Sequence, residues 1–212
     1  MKFRNRAEAG QRLAAALQRF TADHPLILGL PRGGVVVGAE IARVLQCDWD
    51  VLLVKKLRAP GDPELAVGAV CEDGKAFFNE EVRGLAAATQ EYLDCEIKTR
   101  LAEIAAQRRA YRGVKNYISP TDRVAILVDD GLATGATMIA AVQATALSQP
   151  RQLIVAVPVS PPDTADKLEA MPQVNELVCL DTPSWFQGVG QFYEDFQQVS
   201  DEEVVRILKS AR

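Results

Sequence analysis

Two adjacent aspartates, Asp129 and Asp130, close an apolar run and stand just before a loop rich in glycine and threonine. The segment from Val124 to Thr137 reads V-A-I-L-V-D-D-G-L-A-T-G-A-T. Carboxylates in this place accept hydrogen bonds from sugar hydroxyls. The loop that follows (Gly131, Leu132, Ala133, Thr134, Gly135, Ala136, Thr137) leads into an expected helix, whose first N–H groups have no partner within the helix. Those groups, with the positive end of the helix dipole, favour an anion. Thr134 and Thr137 add hydroxyl donors, and glycine lets the backbone approach a ligand closely. The combination suits a phosphorylated ribose. Two other phosphate motifs are excluded: no Lys follows Gly135 as a Walker loop needs, and the dinucleotide G-x-G-x-x-G spacing is absent. An ordinary strand–turn–helix accounts for Thr134 as a cap, but not for two like charges side by side at a strand end.

Ligands of open α/β sheets bind at the carboxyl ends of strands, so the other expected strand ends bear on the same site. Gly29 to Gly34 reads G-L-P-R-G-G. Gly33 and Gly34 offer free amides before a helix, and Arg32 offers a charge-assisted donor; a plain turn with a surface Arg uses the same residues. Lys55 and Lys56 end a second strand, and the two-residue period lets at most one of them face a pocket easily. A solvated basic pair is the other reading. Arg108, Arg109 and Arg112 close a long helix, either as a phosphate patch or as favourable charge at a helix C-terminus. Late in the chain, Trp185 or Phe186 can stack on a flat ring, or the aromatics around them form a mini-core that anchors the last helix.

Alternating helix and strand patterns position these residues and predict an α/β protein with a mostly parallel sheet. Helices are expected over 7–20, from Gly34 to about Gln46, over 80–112 and over 135–147, the third from Leu93, Ile97, Leu101 and Ile104 at helical spacing. Strands are expected over 26–30, 49–57, 124–128, 152–159 and 174–180, with a hairpin over 66–79 turned at Glu72-Asp73-Gly74. Arg58 to Pro63 contains A-P-G-D-P, a loop signal. Ser160-Pro161 reads as an N-cap with Pro at the first helical position. S-D-E-E from Ser200 is a capping-box pattern that opens a closing helix.

The chain has 212 residues and a net charge of −4, a poor balance for binding nucleic acid or an anionic membrane. No apolar run approaches the ~18 residues of a membrane span. The charged N-terminus is unlike a signal peptide. Cys47, Cys71, Cys95 and Cys179 form no C-x-x-C pair, so reduced thiols in a cytoplasmic protein are expected. His24, the only histidine, reads as a loop residue rather than a catalyst or ligand.

The segment from Val124 to Thr137 resembles the phosphoribosyl pyrophosphate motif of type I phosphoribosyltransferases: an apolar run, two acidic residues, then x-x-x-T-G-x-T. Asp129, Asp130, Thr134, Gly135 and Thr137 match. The resemblance implies that the acidic pair contacts the ribose 2′- and 3′-hydroxyls and the loop holds the 5′-phosphate. It also implies a Mg²⁺ ion that sits mainly on the substrate, touching Asp129 and Asp130 indirectly. Arg32 and Gly33 align with the pyrophosphate loop, where a cis bond between Arg32 and Gly33 is expected. Lys55-Lys56 stands near an Arg-Lys pair that contacts pyrophosphate in adenine- and xanthine-type members. Catalysis is then expected from Asp129, Asp130 and Arg32, through positioning and charge stabilisation.

The likeness covers nearly the whole chain. With K-L-R-A-P-G-D-P-E-L-A-V-G-A and F-Y-E-D-F-Q-Q-V-S-D-E-E it is similar to a bacterial group of predicted phosphoribosyltransferases without an established substrate. It implies an open, mostly parallel sheet with helices on both faces, in a single domain over 1–212. A flexible lid over about 57–67, a helical insertion over about 80–113 and a hood over about 182–196 complete that expectation. Implied partners are phosphoribosyl pyrophosphate, a heterocyclic base and a second copy in a homodimer. A non-catalytic sensor of nucleotides on the same fold is the alternative. One position departs from the 6-oxopurine enzymes: Ala133 stands where they carry an acidic acid/base. Adenine-type members have Ala there and place a Glu in the lid instead, but that slot here is Ala66, with Asp62 and Glu64 nearby. The resemblance therefore names the donor and leaves the acceptor open.

Overall fold

The computed structural model describes residues 1–210, apart from the side chains of Pro63 and Glu64. Five strands, numbered in chain order with the rest, form a parallel sheet: β1 (Leu26–Gly29), β2 (Asp48–Val51), β6 (Val124–Val128), β7 (Gln152–Val159) and β8 (Glu176–Asp181). Their order is β2-β1-β6-β7-β8. β3 (Val54–Ala59), β4 (Asp62–Cys71) and β5 (Ala76–Phe78) form a separate antiparallel sheet in the order β3-β4-β5. The helices are α1 (Arg6–Leu17), α2 (Gly33–Leu45), α3 (Glu80–Leu85), α4 (Gln90–Arg112), α5 (Ala136–Ala146), α6 (Pro162–Glu169) and α7 (Asp201–Ser210). Among the described residues no helix is long and apolar enough to cross a membrane.

Both faces of the parallel sheet are covered, which is why its inner strands are unbroken apolar runs rather than alternating ones. Along β6, Val124, Ile126 and Val128 join the core built with Leu13, Val35, Ile41 and Ile104 of α1, α2 and α4. Ala125 and Leu127 join Met138, Ala141 and Val142 of α5 on the other face. The chain leaves β1 through α2 towards β2, and leaves β6 through α5 towards β7, in opposite directions across the sheet. β1 and β6 are adjacent, with Gly29 opposite Val128, so their carboxyl ends flank the point where strand order reverses. A crevice at such a point is where open α/β sheets bind ligands.

Several expected boundaries change. The single strand over 49–57 is two strands in different sheets: β2 ends at Val51, and Val54 pairs instead with Cys71. The apolar run W-D-V-L-L-V carries no local mark of that change of partner. Lys55 and Lys56 consequently lie inside β3 of the antiparallel sheet, not at the end of a parallel strand. The expected lid loop is largely a hairpin of β3 and β4, turned about Gly61 at φ +77°, with register shifts on either side of Arg58. The stretch 80–112 is two helices, the second capped by Thr89, whose hydroxyl accepts from the Tyr92 N–H at 3.3 Å. α6 starts one residue late, with Pro161 as its cap. The closing helix is as expected, Ser200 accepting from the Glu203 N–H at 3.2 Å. All four cysteines are unpaired.

A buried charge cluster ties the two sheets to α4. Arg112 donates from Nη1 to Asp50 on β2 at 2.7 Å, from Nε to Glu72 in the β4–β5 turn at 3.0 Å, and from Nη2 to the Val51 carbonyl at 3.1 Å. Asp50 also accepts from the Ile118 N–H at 3.0 Å. Arg108 approaches Glu72 as well, at 3.6 Å. Arg112 is thus engaged by internal carboxylates rather than presented as part of a phosphate patch.

Candidate active site

The acidic pair follows β6 directly, where the sheet's hydrogen bonds stop at Val128 and the side chains turn to the crevice. The Asp129 carboxyl is partly buried, and its Oδ1 accepts from the Asp130 N–H at 2.8 Å. Burial, reinforced by the charge of Asp130, holds the Asp129 carboxyl well above the usual carboxylate range. Asp130 instead has a cation: Arg6 of α1 donates from Nε to its Oδ2 at 2.7 Å. The Tyr193 hydroxyl donates to the Asp130 carbonyl at 2.7 Å.

The glycines at the start of α2 are there because the acidic pair presses against them. A Cβ on Gly33 would lie 1.9 Å from Asp130 Oδ2, and one on Gly34 would lie 2.4 Å from the Val128 carbonyl oxygen. Contacts this short exclude any side chain without a backbone shift. The loop before α2 thereby comes against the end of β6, with the Leu30 N–H donating to the Val128 carbonyl at 2.9 Å. A cis peptide is present in this loop, but between Pro31 and Arg32, one bond before the expected position. The short x-R-G pattern aligns with either bond, so matching by pattern misplaced it by one. The cation paired with the acidic pair is Arg6.

On the other side of the pair, the loop 131–137 presents amides. Gly135 caps α5 with φ +72° and no side-chain bond. The Ala136 N–H reaches Thr134 Oγ1 at 3.4 Å. Among the described residues, the N–H groups of Gly135, Thr137 and Met138 have no acceptor. Ala133, Thr134 and Thr137 are exposed beside them. Thr164 of α6 braces the loop by donating to the Ala133 carbonyl at 2.9 Å. Leu132 is different: its N–H donates to the Val159 carbonyl at 2.9 Å and its side chain is buried with the α5 core. The arrangement is a helix start with free amides, which favours an anion, next to one carboxyl paired with Arg6 and one held above the usual carboxylate range.

Other expected residues make contacts of their own or stay open to solvent. Phe186 stacks on Phe192 at 5.3 Å and belongs to an aromatic cluster with Phe3, Tyr193 and Phe196. That cluster anchors the N-terminal segment rather than the last helix: the Phe3 N–H donates to the Phe192 carbonyl at 2.8 Å. Trp185, 68% exposed, is the one ring of the expected stacking pair that stays open to solvent. Asp62 turns its carboxylate to the Leu65 N–H at 3.2 Å, and the Glu64 side chain lies outside the described residues. Arg6 and Tyr193 are the residues that sequence reasoning missed. Each meets Asp130 across a long separation in the chain, which no local pattern announces. A groove of about 700 Å³ lined by Val36, Glu40, Arg43, Trp49 and Lys115 lies elsewhere; it lacks the free amides of the loop, and Arg43 there is already paired with Glu40 at 2.7 Å.

The donor set does not make a metal site by itself. Oδ2 of Asp130 is taken by Arg6, burial and the neighbouring Asp130 charge hold the Asp129 carboxyl above the usual carboxylate range, and no cluster of three or more His, Cys, Asp or Glu occurs among the described residues.

A parallel sheet whose switch point joins an acidic pair to a loop with free amides has a counterpart among known families. Residues 3–197 match the phosphoribosyl transferase domain, and the chain belongs to that family. Two Mycobacterium tuberculosis proteins, from strains CDC 1551 / Oshkosh and H37Rv, provisionally described as phosphoribosyl transferases, are each 40% identical to it over 209 residues. The match takes in 99% of this chain and 47% of theirs, so the chain spans about half the length of these curated relatives. The crystal structure of TT1426 from Thermus thermophilus has 42% sequence identity and a TM-score of 0.93, covering 100% of this chain and 99% of that one. A Neisseria gonorrhoeae protein solved with bound ppGpp shares the fold at 10% identity and a TM-score of 0.53, over 100% of this chain and 96% of that one.

Proposed function

We propose that the protein transfers a phosphoribosyl group from phosphoribosyl pyrophosphate to a nitrogen of a nucleobase-like acceptor, releasing pyrophosphate. The observation that carries this reading is the placement of the Asp129–Asp130 pair between the unbonded amides of Gly135, Thr137 and Met138 and the glycine-only start of α2. In this reading Asp130 and Asp129 receive the ribose hydroxyls. Thr134, Gly135, Ala136 and Thr137 hold the 5′-phosphate, and the Arg32–Gly33–Gly34 turn holds pyrophosphate. The acceptor nitrogen bonds to C1′ as the bond from C1′ to the pyrophosphate oxygen breaks, and the bonding pair leaves with pyrophosphate. The protein's contribution is position and charge. Mg²⁺ belongs to this proposal as an ion that arrives on the substrate's phosphates.

The test is a thermal shift with phosphoribosyl pyrophosphate and Mg²⁺, since a ligand bound only by the native state raises apparent stability, followed by pyrophosphate release across a panel of bases. Asp130→Asn is expected to weaken sugar binding about tenfold, the worth of one charged hydrogen bond, and to leave the protein folded. No shift in the unaltered protein, or full affinity in that variant, defeats the assignment. A second reading, a non-catalytic sensor, is favoured by one observation: Ala133 gives the loop no acid/base. Binding without pyrophosphate release for any base would select it.

A further inference from the structure

Arg6 is held more tightly than a surface ion pair requires. Besides its 2.7 Å bond to Asp130 Oδ2, it donates from Nη1 to the Gln197 carbonyl at 2.8 Å. Its guanidinium carbon lies 4.0 Å from the centroid of the Phe196 ring. The Arg6 and Asp130 side chains are only 11% and 15% exposed, which removes most of the solvent screening that makes exposed pairs worth little. A planar guanidinium fixed at a carboxylate, a carbonyl and a ring has one orientation available. The opposite side of the same carboxylate is set by Gly33, whose missing side chain leaves room for Oδ2 and nothing more. Asp130 is thus clamped through Oδ2 between α1 and α2, while its backbone carbonyl is held by Tyr193. Oδ1 is the oxygen that Arg6 leaves for a ligand.

We infer that Arg6 is a positioning residue of the sugar site: by holding Oδ2 of Asp130 it presents Oδ1, in one fixed direction, to the ribose hydroxyls. This rests on the reading of Asp130 as a ribose contact. Arg6 touches no reacting atom and acts through Asp130 alone. Its effect therefore vanishes when Asp130 can no longer serve, which a merely structural arginine would not show.

The experiment is a double-mutant cycle read by calorimetric titration of phosphoribosyl pyrophosphate with Mg²⁺ into the unaltered protein, Arg6→Ala, Asp130→Asn and the double variant. Each single variant is expected to bind about tenfold more weakly, the usual coupling between contacting charged groups. The double variant is expected to bind no more weakly than Asp130→Asn, within about threefold. Losses that multiply in the double variant, or full affinity in Arg6→Ala, overturn the inference. Arg6→Lys guards against misfolding of the alanine variant, because it keeps the charge and loses the fork that serves Asp130 and Gln197 together. It is expected to bind severalfold more weakly, and unaltered affinity there likewise overturns the positioning role. Absence of binding by the unaltered protein is a separate outcome that defeats the functional reading, and this inference with it.

Discussion

Replacing Arg112 by leucine keeps most of its apolar volume and removes the guanidinium that faces two carboxylates. Asp50 is fully buried, its side chain 0% exposed against 12% for Arg112, so the pair belongs to the buried class. Removing one partner from such a pair costs about 3–5 kcal/mol, because the remaining charge is left without compensation. Against a typical domain stability of roughly 5–15 kcal/mol that is about a fifth or more, and at this length it corresponds to a fall in Tm of roughly 10 °C. The pH dependence has a definite sign. Burial raises the Asp50 carboxyl above its ordinary range, and Arg112 is the chief opposing influence. Without Arg112 the folded-state value rises further above the unfolded one. A carboxyl raised on folding loses stability as pH rises through the folded value, so the deficit of Arg112→Leu is larger at pH 8 than at pH 5. Urea unfolding at both pH values measures it, with the slope m expected to be unchanged. A deficit below ~1 kcal/mol, the range of surface pairs, or one of equal size at the two pH values, refutes the reasoning.

Two further predictions concern the site. Gly33→Ala places a carbon where Asp130 Oδ2 now stands, so sugar affinity should fall by at least about tenfold, as for other disruptions of contacting groups; calorimetry giving unchanged binding would remove the close approach from the argument. Trp185→Ala should alter unfolding free energy by less than about 0.5 kcal/mol, as expected of an exposed side chain. If the ring stacks on the acceptor, KM for the base should rise about tenfold in the same variant, and a stability loss above ~2 kcal/mol would instead make Trp185 a packing residue.

The parts of the fold legible in the sequence are those built locally. The run Val124–Val128, the glycine loop and α5 are contiguous, so their chemistry and their geometry share one stretch of chain, and the Ser200 cap is likewise local. The division of residues 49–57 between two sheets depends on Val54 meeting Cys71, a choice made by tertiary pairing rather than by propensity. The break between α3 and α4 was foreshadowed only by Thr89, one polar residue in a helix-like pattern. In the site, the residues in contact with Asp130 come from α1, α2 and the segment after β8, and a single sequence shows the types of these residues without their meeting. Phe186 shows the converse: an aromatic fit for stacking on a ligand was taken up by its own neighbours.

The bridge between Phe3 and the segment around Tyr193 has a consequence in time. Synthesis delivers Arg6 124 residues before Asp130, and Tyr193 63 residues after it. The loop 131–137 and the helix start behind it are complete once residue 138 has emerged, whereas the clamp on Asp130 needs Arg6 together with Tyr193 and Gln197. A nascent chain can therefore carry the loop before the carboxylate is fixed, and the clamp closes only after Gln197 has emerged rather than with the making of the motif.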